Sequence, residues 1–423
     1  MLNRISSSSL LLAQGFFGLF LISLPLNTGV IMYDTLAYSG GLFSTQLAGI
    51  LTLSDIFLIL AGILSAINML ANHRVNKMSI GDPKIFGALT LMTLSLIIPV
   101  AGAESTPLIF KDTLRFIEFA IAYKVLLNLP VPITSWLKLL VAAGCGEAII
   151  GILQFIAHAP LGLHMFGEPR ALVEISGTFP KTSYYASYLV LSFFMLILFV
   201  YERNKSVRFH KLEWRTIYMI FALLAIALVL SLSLPNWVAL VLGLALLTSQ
   251  YRPKWLVKGI IIASLVSLPI VATQLMSAES SLKLFNSQKF SEQIGLSETG
   301  LEIFKNQPLG IGSSHFLLEL NHRNTYNNNI VDLPPNAFLL FTVENGIFGF
   351  VALVLMWYVL TRHVWQMRNH TEGAILGSLL FALFILWNFS HNFVSSHSLG
   401  MYFWIFATIL SMNIEEHLTN DKF

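Results

Sequence analysis

Ionisable side chains interrupt an otherwise apolar chain at a few places, and each asks for a chemical reason. Lys111, Asp112, Arg115 and Glu118 fall in one short stretch, while Asp55, Glu147 and Glu344 are embedded deeper in apolar sequence. A charged group inside a membrane-length apolar run is expensive, so its default interpretation is functional. Residues 111, 115 and 118 share one helical face, where Lys111 or Arg115 can pair with Glu118. A structural ion pair and a contact to lipid phosphate are both open for that group. Elsewhere, His322 precedes Arg323, whose planar fork suits phosphate oxygens, and Arg170 and Lys181 are cations of the polar stretch 167–189. His315, His322, His391 and His397 are candidate general bases, the role histidine most often takes in proton transfer.

The elements that position these residues follow from composition. Hydrophobic residues make up 55% of the 423, charged residues 11%, and the mean hydropathy is +0.72, far outside the range of soluble domains. The expected fold is an all-α integral membrane protein forming a single polytopic domain over 1–423. About 20 apolar residues cross a bilayer core roughly 30 Å thick. That length predicts about twelve spans, at 9–28, 47–71, 85–102, 109–129, 132–157, 182–201, 215–233, 236–250, 255–276, 336–361, 373–389 and 396–413. Most of the 25 Lys and Arg, among them Arg4, Arg74, Arg203, Arg208, Arg252 and Arg362, then fall on the side of the N-terminus. Cationic loops stay cytoplasmic, so both termini are expected inside.

Residues 277–335 form one long external loop, and loops of that length are usually functional or disordered. Leu301, Ile303 and Phe304, then Phe316, Leu317, Leu318 and Leu320, predict short amphipathic helices at the membrane surface. An ordered cap is expected. The first apolar stretch lacks a small-x-small cleavage site and reads as an anchor helix. Cys145 is the only cysteine and is expected to serve packing, so neither a disulfide nor a thiolate metal site arises within one chain. No P-loop, dinucleotide fingerprint or His-Glu-x-x-His element is present.

Four motifs appear in order on this frame: Gly177-Thr178-Phe179; Ser233-Leu234-Pro235-Asn236-Trp237; Pro308-Leu309-Gly310-Ile311-Gly312; and Asn336-Ala337-Phe338-Leu339 followed by Glu344-Asn345-Gly346-Ile347-Phe348-Gly349. Their order and spacing resemble the O-antigen ligase and O-antigen polymerase family of bacterial envelope proteins. The resemblance implies transfer of a glycan from an undecaprenyl-pyrophosphate carrier to an acceptor hydroxyl, of a lipid or a growing polysaccharide. It also implies the bacterial cytoplasmic membrane, with the site facing outward. Such chemistry needs cations to neutralise the departing pyrophosphate and a base near the acceptor hydroxyl, and implies no metal and no cofactor. The chain departs from the family pattern in that Leu234 stands at the family's arginine and Pro335 at its histidine. The expected replacements are His322, Arg323 and Arg170 as catalytic residues, with Arg115, Lys181, Asn336, Glu344, His391 and His397 toward substrate. Glu344 matches the family's glutamate and is expected to fix helix packing beside the site; Gly346 and Gly349 are expected to allow close helix approach. Two alternatives stand beside transfer: a family member that binds lipid-linked glycan or an assembly partner without reacting, and a transporter or flippase. Internal repeats and charged midplane helices, common in transporters, are not evident here.

Overall fold

The computed structural model describes residues 2–26, 29–33, 38–39, 42–43, 47–71, 79, 81–158, 175–206, 211–251, 253–276, 287–323 and 333–420. Most of them are helical. The long helices are α1 Leu2–Ser23, α2 Leu53–Ala71, α3 Pro83–Ile97, α4 Thr106–Asn128, α5 Ile133–Ala157, α6 Thr182–Ser206, α7 Lys211–Leu230, α8 Leu234–Gln250 and α9 Lys254–Met276. They continue with α10 Ser287–Asn306, the short α11 Phe316–His322, α12 Ala337–Gln366, α13 Thr371–Phe389, the single turn α14 Asn392–Ser395 and α15 His397–Asn420. A helix therefore lies in each of the apolar segments expected to span. Among the described residues, seven helices are long and apolar enough to cross a membrane, and α8 and residues 8–23 of α1 are shorter apolar helices. This is a multi-pass, mainly helical membrane protein.

The strands are a departure from the all-α expectation. Gly29–Tyr33 (β1) pairs antiparallel with Gly49–Thr52 (β4), and between them Tyr38–Ser39 (β2) pairs with Leu42–Phe43 (β3). The β-branched and aromatic residues of "GVIMY" suit a pleated surface. The second expected span, 47–71, accordingly starts late, at Leu53. Its start is fixed by a capping box: Asp55 Oδ2 accepts the Thr52 N–H at 2.7 Å, and Thr52 Oγ1 faces the Asp55 N–H at 3.4 Å. Asp55 thus has the Thr52 backbone as partner through Oδ2, and its Oδ1 lies 2.8 Å from His397 Nε2.

The chain forms two compact units. The first contains Met1–Val131, Gln293–His363 and Ser390–Phe423. In it α2 packs on α1 and α4, and α4 also meets α3 and α15. Part of the expected external cap is ordered here, as α10, α11 and the loop between them. Its apolar face turns inward: Leu296, Ile303, Ile311, Phe316, Leu317 and Leu320 share one core with Leu108 of α4 and Leu340 and Val343 of α12. Leu301, expected on the same surface-seeking face, stays half exposed.

The second unit contains Pro132–Glu292 and Val364–Phe389. Helix α6 is at its centre, touching α5, α7, α8 and α13, with Tyr185, Tyr188, Phe193 and Phe194 fully buried. Small residues make room for it: Gly144 faces Ser192, and Gly151 faces the Tyr185 ring.

Candidate functional site

Two glycine motifs separated by more than thirty residues in the sequence turn out to be one structure in the first unit. Helix α12 is interrupted at Gly346, whose φ of 65° and ψ of −162° are not helical and belong to a region open essentially to glycine alone. The break frees carbonyls that a continuous helix would use, and freed backbone groups must find partners at membrane depth. The Pro308–Gly312 loop supplies them. The Ile311 N–H donates to Val343 O at 3.2 Å, the Gly312 N–H to Glu344 O at 2.9 Å, and the Ile347 N–H to Pro308 O at 2.9 Å. Gly310 and Gly312 have φ of 94° and 104°, and a Cβ on Gly310 would lie 2.5 Å from the Glu344 carbonyl oxygen. Gly346 is thus a backbone break and not the helix-packing residue expected from the sequence.

Side chains complete the joint. Ser313 Oγ donates to Asn345 Oδ1 at 2.8 Å, and Asn345 Nδ2 donates to Phe341 O at 3.0 Å. Glu344 is buried, and its carboxylate faces the Ser314 and Phe316 N–H groups, the latter at 3.5 Å. Lys111 and Asp112 of α4 approach the same point. Ser314 Oγ donates to Asp112 Oδ2 at 2.7 Å and accepts from Lys111 Nζ at 3.1 Å, and Ser314 holds a left-handed backbone with φ of 61°. Non-glycine residues in that conformation are uncommon and worth a functional question.

Helix α4 carries the polar row onward. Arg115 Nη1 lies 3.5 Å from Asp112 Oδ1, so Lys111 and Arg115 both pair with Asp112, whereas the spacing alone allowed either to pair with Glu118. Glu118 instead faces His397, Oε2 to Nδ1 at 3.7 Å, and His397 Nε2 lies 2.8 Å from Asp55 Oδ1. The His397 ring stacks on Phe119. Lys111, Asp112 and Arg115 thus offset one another's charge, as the cost of desolvating an unpaired ion demands.

The other sequence-derived candidates have the following places. Arg323 ends α11 held by two carboxylates, Nε to Glu319 Oε1 and Nη1 to Glu302 Oε1, both at 2.9 Å; these bonds raise its pKa above the ordinary arginine value. His322 is exposed, 3.4 Å from Glu104. Asn336 caps α12, its Oδ1 accepting the Leu339 N–H at 2.9 Å. His391 is buried, with Nδ1 2.7 Å from Ser395 Oγ. His315 has both nitrogens engaged: Nδ1–H donates to Ser313 O at 2.8 Å and Nε2 accepts the Ser105 N–H at 2.9 Å. A carbonyl only accepts and an amide only donates, so the ring is the neutral Nδ1–H tautomer. Burial holds its pKa below 6.5 against the Ser313 bond, and it serves as a structural bracket. Arg170 lies outside the described residues.

In the second unit, Lys181 is half buried at the entry to α6, its carbonyl accepting the Tyr184 and Tyr185 N–H groups. The preceding Gly177-Thr178 turn is gripped by α5. Gln154 Oε1 accepts the Ser176 and Gly177 N–H groups at 3.1 and 2.9 Å, while Glu147 accepts the Thr178 N–H at 2.9 Å and its hydroxyl at 2.7 Å. The turn before α8 is held by Trp237 Nε1 on Leu228 O and by Asn236 on Ser233 Oγ, with Leu234 partly exposed.

The glycine loop seated on its broken helix, together with the Trp237 turn, brings the expected motif set into defined structure. Residues 219–354 match the O-antigen ligase family. The O-antigen ligase match begins in α7 and ends in α12, and so includes the Ser233–Trp237 turn, the cap and both glycine motifs. No curated protein matches the chain. The match to the O-antigen ligase family carries a general expectation of glycan assembly with lipid-linked glycan and acceptor substrates, the work of a transferase-type enzyme.

Proposed function

We propose that this protein transfers a glycan from an undecaprenyl-pyrophosphate carrier to an acceptor hydroxyl at the outer face of a bacterial cytoplasmic membrane, with both termini cytoplasmic and about twelve spans of the size a bilayer requires. The observation that carries this is the placement of Lys111 and Arg115 beside the joint of the two family glycine motifs. Two cations one helical turn apart match the two phosphates of a departing pyrophosphate, and preorganised positive charge is often the largest catalytic contribution. Asp112 and Ser314 fix the Lys111 ammonium in place. Arg323 and His322 are the outer candidates, and Arg323 engages phosphate by exchanging Glu302 and Glu319 for it. Arg170 and Lys181 are proposed as further cations toward the donor.

A second interpretation, binding of lipid-linked glycan without transfer, is favoured by one observation: Arg323, the candidate to replace the family's arginine, already has two carboxylate partners. Purified protein in nanodiscs, given undecaprenyl-pyrophosphate-linked oligosaccharide and a panel of acceptors including lipid A-core, separates the two. Release of undecaprenyl pyrophosphate that is lost in Lys111→Met and Arg115→Met supports transfer. Saturable donor binding with no release under any acceptor supports the binding role.

A further inference from the structure

The far end of the α4 polar row is not needed to grip a phosphate, yet it gathers three side chains from three helices. Asp55 of α2, Glu118 of α4 and His397 of α15 each present one ligand-type atom, and these atoms all lie within 4.8 Å of one another. His397 is only 8% exposed at its side chain and Asp55 6%. His397 Nε2 lies 2.8 Å from Asp55 Oδ1, yet both atoms are buried without a hydrogen bond of acceptable geometry. Nδ1 is left facing Glu118 Oε2 at 3.7 Å, too far for a hydrogen bond, and it has no other hydrogen-bond partner. Buried polar atoms left without partners are costly, and a cation between Nδ1 and the Glu118 carboxylate would satisfy both.

We propose that Asp55, Glu118 and His397 form a binding site for a divalent cation of the Zn²⁺ or Mn²⁺ class, with His397 Nδ1 and the Glu118 carboxylate as direct ligands. Two ligands about 2.0–2.1 Å from one Zn²⁺ stand about 3.3 Å apart at a tetrahedral angle, so the 3.7 Å gap closes with a shift of a few tenths of an ångström. Asp55 stands behind the ring in the carboxylate–histidine–metal arrangement that fixes tautomer and orientation. Its own other oxygen is anchored by the Thr52 N–H at 2.7 Å. One imidazole with carboxylates suits Zn²⁺ or Mn²⁺ better than Ca²⁺, which takes oxygen donors.

The local charge agrees. Two carboxylates face the gap, and the nearest cation, Arg115, already pairs with Asp112. Glu118 is 16% exposed, leaving a way in. With two or three protein ligands the ion keeps open positions for water or a phosphate oxygen. That last use rests on the proposed transfer reaction, whereas cation binding itself does not.

Binding is measured on the full chain in nanodiscs, stripped with chelator and titrated with Co²⁺ alone, reading visible ligand-field bands and, after desalting, metal per chain. The expected result is one ion per chain with an imidazole-type spectrum. Loss of an outer partner alone typically costs about 10–100-fold in metal affinity, so Glu118→Gln and His397→Asn should lose at least tenfold. The exposed His370→Ala, a control for surface binding, should lose nothing. The proposal is overturned if wild-type protein retains no stoichiometric ion, or if Glu118→Gln binds as well as wild type. The wild-type stoichiometry decides the matter even where His397→Asn fails to fold, and neither readout depends on whether glycan is transferred.

Discussion

Replacing Gly346 by alanine tests the joint at the centre of this account. A Cβ there would overlap the carbonyl carbon and oxygen of Leu309 and lie 2.7 Å from the Gly310 nitrogen. Holding a non-glycine residue in that backbone region costs on the order of 1–3 kcal/mol, and forcing extra volume into a close-packed joint about as much again. Relief by straightening the helix would recover about 1 kcal/mol of helix propensity. It would also break the three bonds that join the loop to the helix, each worth about 1 kcal/mol net. The first route costs about 2–6 kcal/mol and the second a net of about 2 kcal/mol, so the joint loses at least about 2 kcal/mol, roughly one and a half decades in an opening equilibrium. Hydrogen exchange of the purified protein reads this directly, since protection reports local opening. The Ile311, Gly312 and Ile347 amides should exchange at least about thirtyfold faster in Gly346→Ala, with the α6 amides unchanged. A variant with wild-type protection at Ile311 and Gly312 would refute the claim that the break and the loop hold each other.

Further outcomes follow from the same geometry. Gly87→Ala, in α3 where a Cβ would meet nothing within 4 Å, should raise thermal stability by up to about 1 kcal/mol, measured by melting in detergent. Glu147→Ala removes both acceptors of Thr178 and should destabilise the Gly177-Thr178 turn by about 2–3 kcal/mol, seen as accelerated exchange at the Thr178 amide. Lys111→Met should slow undecaprenyl pyrophosphate release by about 10²–10³-fold, the loss typical of a group that stabilises developing negative charge. Asp82 caps α3 and accepts His363 Nε2 at 2.8 Å. Burial raises its pKa, but the bonds from His363 and the Lys84 N–H outweigh it and the net value lies below 3.8. Its contribution is therefore complete above 3.8 and is lost as pH falls through the lowered value. The melting difference between wild type and Asp82→Asn should shrink as pH drops below 3.8 and stay level above it.

The helices were legible because a membrane imposes a length and an apolarity that composition alone reports. The strands were not, because "GVIMY" is as apolar as a span and too short to show its period. At the site, the Pro308–Gly312 and Glu344–Gly349 stretches could be named as motifs, but a run of letters does not say that one glycine breaks a helix so that another stretch can fill it. Lys111 and Arg115 were visible as costly charges, whereas their common partner depended on side-chain direction along α4. Ser314 carried no signal: its importance comes from a left-handed backbone and from Asp112 and Lys111 arriving from a distant helix. Arg323 read as an available cation because Glu302 becomes its neighbour only after α10 and α11 fold against one another, although Glu319 lies one turn away on α11 itself.

The seated loop also sets an order of events during synthesis. Ile311 and Gly312 are made before Val343 and Glu344, whose carbonyls they need. At roughly 5–20 residues per second, those amides wait about two to six seconds for their partners. Throughout that interval the outer segment must stay out of trouble by itself, hydrated or held by something else. Completion of the joint is thus timed by the arrival of α12, and a pause in translation between residues 312 and 343 would lengthen the exposure of a segment that cannot yet close.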